Sequence, residues 1–322
     1  FAASLWAALQ FWTDFTYFPQ GPNPASTFVN RNFFAEFTAC TFPFSIYLLL
    51  RAKNSSMVAL FSVSAAFNLV AVLMTGTRSA TMAMVLGLLV MGVVAVVYRR
   101  QFGFYGWSAG NRIVAAGVFL AVLAGLGSIP TGNPKVANDR GAGFNAFQVA
   151  ASRSASIGDA KEYSEGSFSV RLVMWKATLT MIGKRPLSGV GAGAWEVDIP
   201  LYQADGAQLE TDYYVHNEYL QLVAEYGVVG WVFLLLLFAY LLNAAWRTLR
   251  NRSPEGMNEG LVRAVTLTAI LVFLAVSGAG FPWRMASTGA LFALCLGVLA
   301  ASDARLGYRS WLGAKRLPWQ PA

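Results

Sequence analysis

The stretch that decides the fold is "GVVGWVFLLLLFAYLLNAAW", residues 227–246, which contains no charged side chain. A helix of about 20 apolar residues crosses the roughly 30 Å hydrocarbon core of a bilayer. The chain is 56% hydrophobic and 12% charged, whereas soluble domains carry about 25% charged residues. These features predict an all-α polytopic membrane protein. Six further stretches have the same character: 33–50, 57–74, 80–98, 113–129, 261–278 and 285–301.

Basic residues predict the orientation of these spans. Thirteen of the 24 Lys and Arg residues fall in the connections 51–56, 99–112, 247–263 and 302–322, all on one side if the spans alternate. The positive-inside rule places that side in the cytoplasm. The net charge of +8 therefore reflects topology and gives no support to nucleic-acid binding. The chain begins within a partial apolar segment, residues 1–12, and has no initiator Met, so we expect earlier helices to be missing.

One connection on the opposite side is far longer than the others. It divides the chain into N-terminal spans (1–129), a large loop (130–215), C-terminal spans (216–302) and a cytoplasmic tail (303–322). Within the loop, "FSVRLVMWKATLTMIGKRP", residues 168–186, has apolar residues at helical spacing and predicts a helix that ends at Pro186. "GVGAG", residues 189–193, follows that helix and predicts a turn, because a dinucleotide-binding loop would follow a strand.

Three arginines lie where predicted spans meet the outer side, a position that the positive-inside rule normally leaves without basic charge. They are Arg31 in "TFVNRNFF", Arg78 in "MTGTRSAT" and Arg284 in "GFPWRMAS". An arginine at membrane depth is costly unless it is paired or faces a wet cavity. The residues alone leave two readings open, snorkelling to lipid phosphates or a functional site. Arg78 favours the second, since it follows a glycine in a very short connection.

The only histidine, His216, lies where the long loop re-enters the membrane. We expect a helix that begins near Asp212 or His216 and runs to Gly227, with Glu218 pointing away from the imidazole. The dipole at a helix N-terminus favours the neutral imidazole, which can act as a general base. Asp212 could fix its tautomer if the helix extends that far back. A helix-capping or interfacial histidine is the alternative.

At this point the sequence resembles the O-antigen ligase and polymerase superfamily. The resemblance rests on "HNEYLQLVAEYGVVG", residues 216–230, and on Arg171 in "VRLVMWKATL", although the usual pattern has Leu where this chain has Trp175. "TGTRSA" and "TFVNRNFFAEF" are similar to motifs of earlier spans in the family. The motifs occur in the expected order along the whole chain.

The resemblance implies a GT-C-type helical bundle with a large periplasmic loop, in the bacterial inner membrane. It implies transfer of a glycan from undecaprenyl pyrophosphate to a sugar hydroxyl of lipid A–core, without a metal or other cofactor. Membrane lipids are further expected partners. His216 would be the general base, with Arg78 and Arg171 as pyrophosphate ligands. The remaining substrate-binding candidates are Arg31, Lys184, Arg185, Tyr214 and Asn217.

Three other functions remain as alternatives to a ligase. A glycan polymerase would extend the same donor, and a protein O-oligosaccharyltransferase would use a protein acceptor. A transporter is less favoured, because transporters place ionisable groups near the bilayer midplane and the predicted spans hold almost none beyond Glu36. The carboxylates of "WEVD", residues 195–198, have the spacing of some cation sites, but such a site needs several oxygen ligands.

Overall fold

A computed structural model describes residues 1–158, 167–204 and 214–308. These ranges contain thirteen α-helices and no β-strand. The helices are α1 Ala2–Thr13, α2 Arg31–Arg51, α3 Ser55–Thr75, α4 Arg78–Val97, α5 Ala109–Gly127, α6 Pro134–Arg140, α7 Ala146–Ala155, α8 Ser167–Lys184, α9 Trp195–Asp198, α10 Glu218–Tyr226, α11 Val228–Arg250, α12 Pro254–Ser277 and α13 Ala286–Arg305.

Seven of these helices, α2–α5 and α11–α13, are long and apolar enough to cross a membrane. They coincide with the seven predicted spans, which confirms the chain as an all-α polytopic membrane protein. The predicted partial span at the start is α1, which has only 12 residues. The division into N-terminal spans, loop, C-terminal spans and tail stays a prediction.

Capping residues set the turns between consecutive spans. The Asn54 side chain accepts a hydrogen bond from Met57 N at the start of α3, and Ser253 accepts one from Gly256 N at the start of α12. Gly76 ends α3 with a φ of 63°, a left-handed conformation that favours glycine. The spans therefore alternate in direction. We call the end where α2, α4, α11 and α13 begin the loop end, because the long connection lies there.

Helix α2 lies at the centre of the bundle and contacts α3, α4 and α12. Its buried face carries small residues, Ala35 and Ala39, which pack with Ala80 and Ala83 of α4. Small side chains let helices approach closely in a membrane, where close packing drives helix association. This packing fixes the start of α2 relative to the start of α4, and Arg31 and Arg78 are the first residues of these two helices.

At the end opposite the loop end, Arg263 joins the last three helices. Its guanidinium is fully buried and donates to Asp303 of α13 at 2.6 Å and to Thr248 of α11 at 2.9 Å. The predicted connection 247–263 and the predicted span 261–278 overlap at Arg263. The Ser253 cap starts α12 earlier than expected, so Arg263 lies well inside the span.

The connection at the loop end is itself helical in its described parts. The predicted helix is confirmed as α8, and its expected apolar face is buried through Met174, Ala177 and Met181 against Trp195 and Val215. The sequence did not predict α6 and α7. Helix α7 packs on α3, with Val149 in a buried cluster beside Met74.

Candidate functional site

His216 lies immediately before helix α10, which begins at Glu218 with Asn217 as its N-cap. Asp212 lies outside the described residues. The helix expected near His216 and running to Gly227 is observed, with its first residue two positions after His216. The physical reason is the Asn217 side chain, which accepts hydrogen bonds from the backbone N–H groups of Tyr219 and Leu220, each at 3.1 Å. His216 has a φ of 54°, a left-handed conformation in which non-glycine residues are uncommon.

The ring of Phe281 packs against the imidazole of His216, and two further aromatic rings pack against Phe281. The Phe281 ring lies 5.1 Å from the imidazole, centroid to centroid, in an edge-to-face arrangement. Phe281 also contacts Tyr214 at 4.5 Å and Phe33, near the start of α2, at 5.1 Å. The structure thus brings His216 and Tyr214 together on the loop between α12 and α13, and connects both to the loop end of α2.

Glu218, which was expected to point away from the imidazole, is the first residue of α10. Its carboxylate is buried, accepts a hydrogen bond from Trp283 N at 2.9 Å and lies 3.4 Å from Arg284 Nε. Burial raises the pKa of Glu218 to about 7, and the charge of Arg284 offsets part of this effect.

Arg284 therefore has protein partners, which decides between the two readings of this residue. Besides Glu218, its Nη2 donates to the buried carboxylate of Glu225 at 3.1 Å. Its guanidinium also lies over the Tyr214 ring, 5.4 Å from the centroid. Arg284 is part of the surroundings of His216 and is not directed at lipid phosphates.

Arg31 and Arg78 come together with a third arginine that the sequence did not single out, Arg153 of α7. The charges of Arg78, Arg153 and Asp139 all act on the Arg31 guanidinium. Arg31 Nη1 is buried and finds no hydrogen-bond partner within residues 1–158, 167–204 and 214–308. Arg78 Nη1 donates to Ser156 Oγ at 3.0 Å. We call Arg31, Arg78 and Arg153 the arginine cluster.

Arg171, near the start of α8, lies close enough to the buried carboxylate of Glu36 for their charges to interact. The charges of Arg171 and Glu218 both act on this carboxylate, which belongs to α2. Glu36 Oε1 also lies against Gly280, where an added Cβ would overlap with it. Glu36 thus occupies the middle of the loop end, between the helix that carries Arg171 and the residues around His216.

Lys184 and Arg185 are not brought to this place. Both are exposed at the C-terminal end of α8, about 20 Å along the helix from Arg171. Arg185 Nη1 lies 3.9 Å from Asp198 Oδ2 of the "WEVD" segment. In the described parts of the chain, no three His, Cys, Asp or Glu side chains are grouped so as to hold a metal ion.

The turn predicted for residues 189–193 is confirmed. Gly189, Gly191 and Gly193 all have positive φ values, between 65° and 108°. The turn packs on α10, because Gly191 N donates to Glu225 O at 3.0 Å, and a Cβ at Gly189 would overlap with the same carbonyl group. It is a structural element that supports the helix after His216.

Comparison with known families now adds an independent finding. The family model described as O-antigen ligase (Wzy_C) matches residues 63–235, more than half of the chain. The chain belongs to the O-antigen ligase family. The match includes Arg78, Arg153, Arg171 and His216. A search of curated protein sequences finds no match.

Membership in the O-antigen ligase family establishes the broad function. Proteins of this family are glycosyltransferase-like ligases and polymerases that use lipid-linked glycans in membranes. The chain is therefore an enzyme of this general kind, and the resemblance recognised in the sequence is confirmed.

Two features of this O-antigen ligase family member were not predicted from its sequence. Arg153 lies in a stretch that reads as polar loop. A usable signal was "NAFQ", residues 145–148, which forms a capping box in which Asn145 and Gln148 each bond the other's backbone N–H. The pairing of Arg284 with Glu218 and Glu225 had no such signal, because the partners are about sixty residues apart.

Proposed function

We propose that the protein is an O-antigen ligase, which transfers a glycan from undecaprenyl pyrophosphate to a sugar hydroxyl of lipid A–core. The reaction takes place on the periplasmic side of the bacterial inner membrane, on a GT-C-type bundle. The observation that carries the proposal is the arginine cluster at the loop end, where the guanidinium groups of Arg31, Arg78 and Arg153 are close enough for their charges to interact.

The arginine cluster suits a pyrophosphate group. Like charges repel, so three guanidinium groups gain most from a polyanion that lies among them. Each guanidinium offers forked donors that match phosphate oxygens. Arg31 and Arg78 also begin α2 and α4, so the positive ends of two helix dipoles face the same place. The buried Arg31 Nη1 supplies a donor for an anion oxygen.

We assign Arg171 to the same donor substrate. Arg171 is carried by α8, whereas the arginine cluster is carried by α2, α4 and α7. A pyrophosphate bound between these helices would connect the long connection at the loop end to the bundle. The permanent charges of these arginines would stabilise the leaving pyrophosphate in place of a metal ion.

The role of general base falls to His216. The acceptor hydroxyl oxygen attacks the anomeric carbon of the glycan while the bond from that carbon to the pyrophosphate oxygen breaks, and the electron pair leaves with the pyrophosphate. The imidazole takes the hydroxyl proton. Histidine is the side chain best suited to accept a proton near neutral pH.

The remaining candidates take lesser parts in this proposal. Tyr214 packs on Phe281, as His216 does, and offers its ring to a sugar of the acceptor. Asn217 fixes the start of α10 through its cap, so it acts by placing His216. Lys184 and Arg185, exposed at the far end of α8, can contact only the outer part of a long glycan or lipid phosphates.

The test uses purified protein with lipid-linked glycan and lipid A–core, and compares wild type with His216→Ala. Glycan on lipid A–core with wild type alone supports the ligase reaction and the base together. A loss of about 10²–10⁴-fold in rate with unchanged donor affinity is expected for the variant. Longer lipid-linked chains with no modified core would instead make the protein a polymerase. Equal transfer by both proteins would remove His216 from the mechanism.

A further inference from the structure

The loop between α12 and α13, residues 278–285, carries charged contacts that the proposed reaction does not use. Arg284 Nη2 donates to Glu225 at 3.1 Å, and its Nε lies 3.4 Å from Glu218. Trp283 N donates to the same Glu218 carboxylate at 2.9 Å. Glu218 and Glu225 are 3% and 1% exposed. Removing one partner from such a buried pair leaves an uncompensated charge, so these contacts hold the loop on α10 firmly.

The same loop presents Phe281 to the imidazole of His216. Its ring lies 5.1 Å from the imidazole and 4.5 Å from the Tyr214 ring. The guanidinium of Arg284, three residues further on, lies over the Tyr214 ring. The loop thus contacts His216 and Tyr214, which precede α10, through the Phe281 ring. It contacts Glu218, the first residue of α10, through charge.

The backbone of His216 needs such an enclosure. A left-handed conformation costs a non-glycine residue on the order of 1–3 kcal/mol and persists where the surroundings determine it fully. Asn217 caps α10 through the backbone N–H groups of Tyr219 and Leu220. The Phe281 ring packs directly on the imidazole and so takes part in orienting it.

We propose that Arg284 is a positioning residue for His216: by holding residues 281–284 on Glu218 and Glu225, it sets the Phe281 ring against the imidazole. This inference rests on the proposed function for its catalytic consequence, but its structural part does not. A misplacement of about 1 Å at a reacting group costs a rate up to about 10²-fold. Loss of Arg284 therefore lowers kcat for glycan transfer and leaves the KM for the donor unchanged, because Arg284 lies outside the arginine cluster.

The single histidine gives a direct readout. Protein labelled with isotopic histidine, and purified through a tag without histidine, shows the ring C–H resonances of His216 alone in a nanodisc. Wild type is compared with Arg284→Gln and with Phe281→Leu, which keeps the ion pairs and so provides a test if the first variant fails to fold. The matched control is Arg305→Gln, which breaks the Arg305–Glu259 ion pair of 2.8 Å at the opposite end.

In Arg284→Gln, we expect the His216 resonances to move toward the positions of an unpacked histidine, with a fall in kcat of about 10- to 100-fold. Arg305→Gln changes neither. Unmoved resonances in Arg284→Gln, or in Phe281→Leu, would overturn the positioning role whatever the activity. Moved resonances with full activity would uphold the contact and instead overturn the role of His216 as base, which separates the two failures.

Discussion

The indole nitrogen of Trp175 donates a hydrogen bond to the carbonyl oxygen of Val215, 3.0 Å away. Trp175 lies one helical turn after Arg171 on α8, and Val215 directly precedes His216. This single contact therefore ties the helix that carries a proposed pyrophosphate ligand to the residue before the proposed base. The usual family pattern has Leu at this position, which could not donate to the carbonyl.

Substitution of Trp175 by Phe tests this connection. The ring volume is largely kept, but Val215 O loses its partner, so we expect a loss of about 1 kcal/mol in the free energy of unfolding and a clear fall in kcat. The matched control is Trp195→Phe, because Trp195 Nε1 donates its hydrogen bond to Thr178 Oγ1 and not to the backbone of residues 214–216. Equal activity in the two variants would contradict the connection.

Arg153 is expected to bind the donor although the sequence did not single it out. Arg153→Gln should weaken binding of the lipid-linked pyrophosphate by about 10- to 100-fold, the effect of one lost hydrogen bond to a charged group. Arg78→Lys should weaken it as well, because an ammonium lacks the forked donors of a guanidinium. The control is Arg99→Gln, an exposed arginine at the opposite end of the bundle. Donor binding that is unaffected in Arg153→Gln would remove it from the site.

Gly76 lies next to the Arg153 side chain of the arginine cluster. It has a φ of 63°, and an added Cβ would lie 3.1 Å from Arg153 Cγ and from Val149 Cγ1. We expect Gly76→Ala to destabilise the fold by about 1–2 kcal/mol and to weaken donor binding, since Arg153 must shift. Gly92→Ala is the control, because Gly92 is helical and its Cβ would meet nothing. Thermal unfolding and donor titration would measure the two effects separately.

Glu218 predicts a specific pH dependence of stability. Burial raises its pKa to about 7 from the usual 4.5, so the folded protein keeps a proton that the unfolded chain releases. The free energy of unfolding therefore falls as the pH rises from about 4.5 to about 7, and this group adds no slope outside that window. Glu218→Gln cannot titrate and should lose this slope. Parallel stability curves for the two proteins between pH 4.5 and 7 would count against the prediction.

Most of the fold was predictable because a bilayer imposes a simple rule of length and polarity. The span predicted at 57–74 is observed as Ser55–Thr75, and the helix predicted before Pro186 ends at Lys184. The helix after the long loop was predicted only to begin near Asp212 or His216, and it begins at Glu218. An apolar pattern fixes the extent of a helix only roughly, whereas its first residue depends on which side chain caps it, here Asn217.

Only those residues of the candidate site whose type is unusual for their position in the chain could be predicted from the sequence. Arg31 and Arg78 lie at span ends where the positive-inside rule predicts no basic charge, and His216 is the only histidine, so each was visible in the sequence. Arg153 is one of several polar residues in a loop-like stretch, and only packing of α7 on α3 brings it to the others. Glu218 and Glu225 could be assigned to Arg284 only in three dimensions, since no local spacing relates them.

The buried Arg263 limits how the last three helices can move against one another. It fastens α11, α12 and α13 to one another at the end remote from the site, with Asp303 and Thr248 as partners. Sliding of these helices would strand a buried charge, which is strongly unfavourable. We therefore expect the last three helices to keep their relative positions while a lipid-linked substrate binds at the loop end, and so to act as a fixed support for it.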